Sequence, residues 1–285
     1  MGLLLTYGFL VMAICFNWIL PKIDSKKIAA LTFFIISVFY GIIYNYIELY
    51  GVIIIIFMFY FAYFYYNRDN KIKYIYLFLF IILALITSLH ILPGFNNYNV
   101  VKNIKLTSDS KYYSLYLNFD KAAAGFVILF FQQDLLKSIK DFLKSLKKIY
   151  IYIILSVLIL ITISSLFGYI KFEPKVPYFI LSFIVSNLFF TCLAEELFFR
   201  KIIQENIKIM FINNRYNVII GIICSALSFG AVHLAGGIKY FIFAFIAGIF
   251  YSIIYEKTKN IEMAIIAHFL LNLIHIFLFT YPALS

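Results

Sequence analysis

The chain has 285 residues, of which 64% are hydrophobic and 13% charged, and its mean hydropathy is +0.97. A soluble domain is about 45–50% apolar and about 25% charged, so the polar groups are too few to cover a surface in water, and a soluble enzyme is excluded. The formal charge of +11, from 24 Lys+Arg against 13 Asp+Glu, reads as the Lys/Arg excess of cytoplasmic loops, and no nucleic-acid partner is expected.

Charge-free intervals run over 1–21, 28–47, 49–67, 74–101, 149–170, 176–194, 216–238, 240–255 and 263–285. A helix needs about 20 residues to cross a hydrocarbon core of about 30 Å. Most of these intervals reach that length, and 240–255 is at the short limit. The spacing predicts an all-α, polytopic transmembrane helical bundle of about eight to ten transmembrane helices. The first interval lacks a basic n-region and a small-x-small cleavage site and ends at Pro21, so it reads as a retained helix.

Basic residues punctuate the intervals: Lys22, Lys26 and Lys27; Arg68, Lys71 and Lys73; Lys137 to Lys148; Arg200, Lys201, Lys208 and Arg215; Lys257 and Lys259. If all are cytoplasmic, the N-terminus is outside and the region 112–133 must also cross. Residues 134–148 (DLLKSIKDFLKSLKK) place apolar and basic positions at helical spacing, the pattern of an interfacial amphipathic helix on anionic lipid. The expected organisation is therefore an N-terminal transmembrane region, 1–133, this basic helix, 134–148, and a chemistry-bearing transmembrane domain, 149–285. Residues 94–120 form the one long polar loop. Cys15, Cys192 and Cys224 stand in apolar runs without paired spacing, which argues against disulfides and thiolate metal sites.

An ionisable residue at membrane depth costs several kcal/mol and is a functional candidate. The first group is Glu195-Glu196-Leu-Phe-Phe-Arg200. Arg200 is four residues after Glu196 and shares its face, in the favourable order for an ion pair. Four residues after Glu195 stands Phe199, so Glu195 is the carboxylate available as a general base. The competing reading is a pair of interfacial charges. The second group is Phe229-Gly-Ala-Val-His233 among small residues that let helices approach closely. By itself His233 also fits a packing role. The third is His268-Phe-Leu-Leu-Asn272, two hydrogen-bonding groups on one face that suit a developing oxyanion or an interhelical clamp.

Taken in order, Glu-Glu-x-x-x-Arg, Phe-x-x-x-His and His-x-x-x-Asn resemble the CPBP family of membrane-embedded proteases, which includes the type II CAAX prenyl endopeptidases. The resemblance covers roughly residues 150–280. Leu117 to Lys121 also resembles N-terminal regions of some bacterial members. The resemblance implies Glu195 as the base that activates water, His233 as its assistant, and His268 and Asn272 as the oxyanion hole. Glu196, Arg200 and Phe229 would support them, while His90 and His275 match no motif and are taken as structural. No cofactor is favoured: zinc, if bound, would be held by Glu195, His233 and His268, but the spacing is not HExxH and Asn is a poor zinc ligand. The implied partners are membrane lipid and a membrane-associated protein or peptide substrate, in a bacterial plasma membrane. The alternatives are a non-catalytic bacteriocin-immunity or protein-maturation factor on the same scaffold and, third, a transporter, against which the lack of an inverted repeat speaks.

One constraint follows from depth. In straight helices over 178–198 and 217–236, Glu195 and His233 would lie at different levels. The apolar positions after Arg200 predict one helix from about Val176 to Met210, which would let them meet.

Overall fold

A computed structural model describes residues 1–18, 26–136 and 138–285. Pro21, Lys22 and Lys137 from the expected boundaries lie outside them. The helices are α1 (Gly2–Trp18), α2 (Lys26–Ile43), α3 (Leu49–Asn67), α4 (Lys73–Ser88), α5 (Phe119–Phe131), α6 (Ile139–Leu166), α7 (Ile180–Met210), α8 (Asn217–Val232), α9 (Ile238–Thr258) and α10 (Ile261–Leu278). The chain is an all-α polytopic bundle. Among the described residues, α3, α6, α7, α9 and α10 are long and apolar enough to cross a membrane, and α1, α2, α4 and α8 are shorter apolar helices. Inside the polar loop two short strands, β1 (Tyr98–Ile104) and β2 (Tyr113–Leu117), pair into a small sheet that the helical reading did not include.

The chain divides into two compact units. The first comprises Met1–Asn99, Tyr116–Lys137 and Phe189–Ala194; the second comprises Val100–Leu115, Ser138–Leu188 and Glu195–Ser285. The second unit takes in most of the hairpin.

At the centre of the first unit is α5. Its residues are buried on every side from Ala122 to Leu129, as expected of a core helix. Thirteen residues rise only about 20 Å, and the residues before them form a strand. The region 112–133 thus holds a strand and a short core helix and not one membrane-length helix. Small side chains explain the burial: a Cβ on Gly125 would stand 2.7 Å from that of Ala194. The helix is anchored at its start by polar groups. Asp120, 3% exposed, accepts hydrogen bonds from the Asn97 amide at 3.0 Å and from His90 Nδ1 at 2.6 Å, while Asn97 Oδ1 accepts from the Phe119 N–H at 2.8 Å.

In the second unit, the basic stretch is not a separate interfacial helix. Ser138 caps α6 by accepting from the Asp141 N–H at 3.1 Å, and no Gly or Pro interrupts the chain between Ile139 and Leu166. Lys140, Lys144, Lys147 and Lys148 are exposed on its first turns. Ser145, Ile149, Ile153, Ser156, Leu160 and Ser164 make one buried stripe at spacings of three and four residues. The sheet buries Val101 and Leu115 against Phe179, Phe183 and Ile276. The C-terminal residues pair alongside: Thr280 N–H with Lys171 O, Leu284 N–H with Tyr169 O and Lys111 N–H with Ala283 O. Asp109 and Lys171 form an ion pair there, and the ammonium beside it holds the Asp109 carboxyl below the usual carboxylate range.

Between α8 and α9 the chain turns through Leu234–Gly236, and Gly237 takes φ +98°, a conformation that any side chain would strain. Gly236 and Gly237 close this turn.

Replacing Asp120 by Ala strands its donors around a buried position. The expected loss is about 1–3 kcal/mol, seen as a lowered thermal midpoint of the purified protein in detergent; an unchanged midpoint would show that α5 does not depend on this anchor.

Candidate active site

The first requirement of the site is depth. Helix α7 is continuous through Arg200 to Met210 and starts at Ile180, shortly after Pro177, close to the expected Val176. It is not uniform. Wide π-helical segments at Ser186–Cys192 and Leu197–Gln204 flank a single α turn, Leu193–Glu196, that carries both glutamates. Such segments shift the direction of side chains and recur at functional sites.

Helix α8 runs back along α7. A Cβ on Gly221 would stand 3.2 Å from the Gln204 carbonyl, and Ser225 Oγ donates to the Phe199 carbonyl at 2.7 Å. Continued in that register, Phe229 falls opposite Glu196, and His233 lies about one helical turn from the level of Glu195. The conflict of depths is resolved by the length of α7.

At the core of the site is Arg200, with no solvent exposure. Its Nε donates to Glu196 Oε2 at 2.8 Å. Its Nη1 donates to Ser225 Oγ at 2.8 Å and to Ser252 Oγ at 2.6 Å. The guanidinium carbon lies 5.5 Å from the centre of the Phe229 ring, within cation–π range. The other oxygen of Glu196, Oε1, is 2.9 Å from His268 Nδ1. The ion pair expected from the i,i+4 spacing is therefore present, and it extends to the third motif.

With Glu196 orienting it, the His268 ring places Nε2 4.0 Å from Glu195 Oε2. Glu195 is 13% exposed, against none for Glu196. His233 Nδ1 is 2.6 Å from the Phe229 carbonyl. A carbonyl only accepts, so Nδ1 carries the proton and Nε2 of the neutral ring is an acceptor. Asn272 Nδ2 donates to Asn187 Oδ1 at 3.3 Å. The ring of Phe229 contacts those of His233 and His268, with centroids 4.7 and 5.6 Å away. His275 instead reaches the Thr280 carbonyl at 3.1 Å.

Several partners lay outside the sequence reading. Tyr251 stacks on His268 at 4.8 Å and 17°, Tyr240 meets His233 edge-on at 5.0 Å, and Ser252 and Asn187 supply the contacts given above. Ser225 was visible only as a small residue. Among 24 tyrosines none carries a spacing that marks it. Among the described residues no three His, Cys, Asp or Glu side chains gather as ligands for a metal ion. Glu195, His233 and His268 as placed do not form a zinc cage.

These features define a polytopic membrane protein in which Glu195, Glu196, Arg200 and His268 are brought together, Phe229 touches both His233 and His268, and Asn272 pairs with Asn187. Residues 177–274 match the family model described as type II CAAX prenyl endopeptidase Rce1-like, and over this segment the chain is similar to that family. No match was found among curated proteins or among solved structures.

Removing one member of a buried ion pair leaves the other uncompensated. Glu196→Ala is expected to cost about 3–5 kcal/mol, whereas Glu195→Gln should leave the thermal midpoint close to wild type; equal losses in the two variants would contradict the division of roles between them.

Proposed function

We propose that the chain is an intramembrane endopeptidase that hydrolyses a peptide bond of a membrane-associated protein or peptide in a bacterial plasma membrane. The family match supports a CAAX-type intramembrane protease in general. The observation that carries the finer reading is the pairing of Glu195 with an imidazole 4.0 Å away whose far nitrogen is held by a buried, charge-compensated carboxylate.

In this mechanism Glu195 takes a proton from water as the water oxygen bonds to the scissile carbonyl carbon. His233 accepts a hydrogen bond from the same water through Nε2 and orients it. The carbonyl π electrons move to oxygen, and His268 and Asn272 donate to that oxyanion. Collapse of the tetrahedral intermediate breaks the C–N bond, and Glu195 returns its proton to the leaving amine. For Nε2 of His268 to donate, its ring must be an imidazolium, because Nδ1 is committed to Glu196. No step is routed through a metal.

A non-catalytic role on the same scaffold, as an immunity or maturation factor, predicts a different outcome in one experiment. Wild type, Glu195→Ala and His233→Ala are expressed at equal level and membrane proteins are compared by mass spectrometry. The protease reading expects a cleaved species in wild type that is intact in both variants, with cleavage reduced at least about 100-fold. Folded variants that leave every cleavage pattern and phenotype unchanged would remove it. Chelation should leave cleavage intact; loss restored by zinc would replace the metal-free mechanism.

A further inference from the structure

A second candidate site lies in the first unit, and none of its lining residues takes part in the proposed chemistry. A groove of about 610 Å³ runs between the N-terminal end of α2, the C-terminal half of α3 and the end of α5. That volume is in the range of small-molecule sites. Its lining includes the polar side chains of Lys27, Asn67 and Gln133 and the apolar side chains of Leu31, Ile56 and Phe59.

The polarity follows the membrane. Lys27 begins α2, Asn67 ends α3 and Gln133 follows α5, so all three stand at one end of the unit's helices. From Asn67 to Ile56 the groove descends about 16 Å along α3 at 1.5 Å per residue. Its walls are fixed. Tyr66 Oη accepts from Gln132 Nε2 at 2.8 Å, and the Tyr66 ring stacks on Phe131 at 5.2 Å and 8°. The Lys27 ammonium lies 5.5 Å from the centre of the Phe130 ring. Ile56, Tyr60 and Tyr63 expose 59%, 46% and 54% of their surface on this side. Tyrosine at the level of the head groups is the usual membrane-interface arrangement. Further cations, Arg68, Lys71 and Lys73, follow α3 at the same end.

We infer that this groove binds one phospholipid with an anionic head group: the phosphate at Lys27, Asn67 and Gln133, and one acyl chain along Leu31, Ile56 and Phe59. A cation at the mouth above an apolar channel complements an amphiphile of that charge. A head group that is zwitterionic adds a second cation beside Lys27 and the basic residues after α3, which opposes binding.

The full chain, purified and delipidated, is examined by native mass spectrometry while dioleoyl phosphatidylglycerol or dioleoyl phosphatidylcholine is added. The first phosphatidylglycerol is expected to bind more tightly than phosphatidylcholine. Lys27→Gln should weaken phosphatidylglycerol about five-fold, the effect of one cation near a lipid surface, and leave phosphatidylcholine unchanged. Leu31→Trp, which adds bulk to the apolar lining, should weaken both. Lys71→Gln, outside the groove at the same end, should change neither. Equal affinity for the two lipids in wild type, no effect of Lys27→Gln, or an equal effect of Lys71→Gln would overturn the site. Should Lys27→Gln fail to fold, phosphatidylglycerol with a photoreactive acyl chain decides on wild type: cross-links at residues 27–31 and 56–67 support the site, and cross-links elsewhere overturn it.

Discussion

The constraint on which the second unit depends is a guanidinium buried without access to solvent. Moving such a charge out of water costs several kcal/mol unless it is paired and its hydrogen bonds are met. Arg200 meets that demand through Nε and Nη1, with partners from three helices: Glu196 on its own helix, Ser225 on α8 and Ser252 on α9; its buried Nη2 has no hydrogen-bond partner among the described residues. Glu196 then passes its second oxygen to His268 on α10. One cation thus sets the rotation of four helices about their axes. Neither serine is expendable in this account, since each accepts a hydrogen bond that water cannot supply, and Ser225 uses its own proton on the Phe199 carbonyl.

The consequence for chemistry lies in the adjacent residue. Consecutive helical side chains point about 100° apart, so with Glu196 fixed toward Arg200 and Nδ1 of His268, Glu195 approaches the same ring from its other nitrogen, Nε2. The two π-helical segments enlarge this effect. The glutamates occupy a single α turn between them, with Asn187 in the segment before and Arg200 in the segment after. The same helix consequently meets α10 twice, at Asn272 through Asn187 and at His268 through Glu196.

Much of this was legible because charge is scarce. With 13% charged residues, each ionisable group at lipid depth is conspicuous, and the i,i+4 rule alone paired Glu196 with Arg200. Depth bookkeeping required α7 to continue beyond Arg200, and it does. Failures came where composition carries no contrast. Tyr251 and Ser252 sit in an apolar helix rich in aromatic and small residues, so nothing marked them as neighbours of His268 and Arg200. The alternation of basic groups asked for a crossing at 112–133, yet the Ala122-Ala123-Ala124-Gly125 run of α5 suits burial within protein more than contact with lipid. The basic stretch misled for a related reason: amphipathic spacing shows which face is wet, but it does not say where a helix stops, and no Gly or Pro follows Lys148 to stop it.

On the proposed reading, Glu195 and His268 are not independent actors. Their nearest atoms, 4.0 Å apart, are too distant for a direct hydrogen bond but close enough that the protonation of one changes the energy of the other. The general base must be an anion when water attacks, and the oxyanion donor must carry a proton on Nε2 at the same moment. A carboxylate beside an imidazolium satisfies both at once, and Glu196 on the far nitrogen, itself compensated by Arg200, keeps the ring aligned through the transfer. The buried ion pair therefore reaches the chemistry without touching substrate: it sets which nitrogen of His268 faces Glu195, and with it whether the pair holds the proton where hydrolysis needs it.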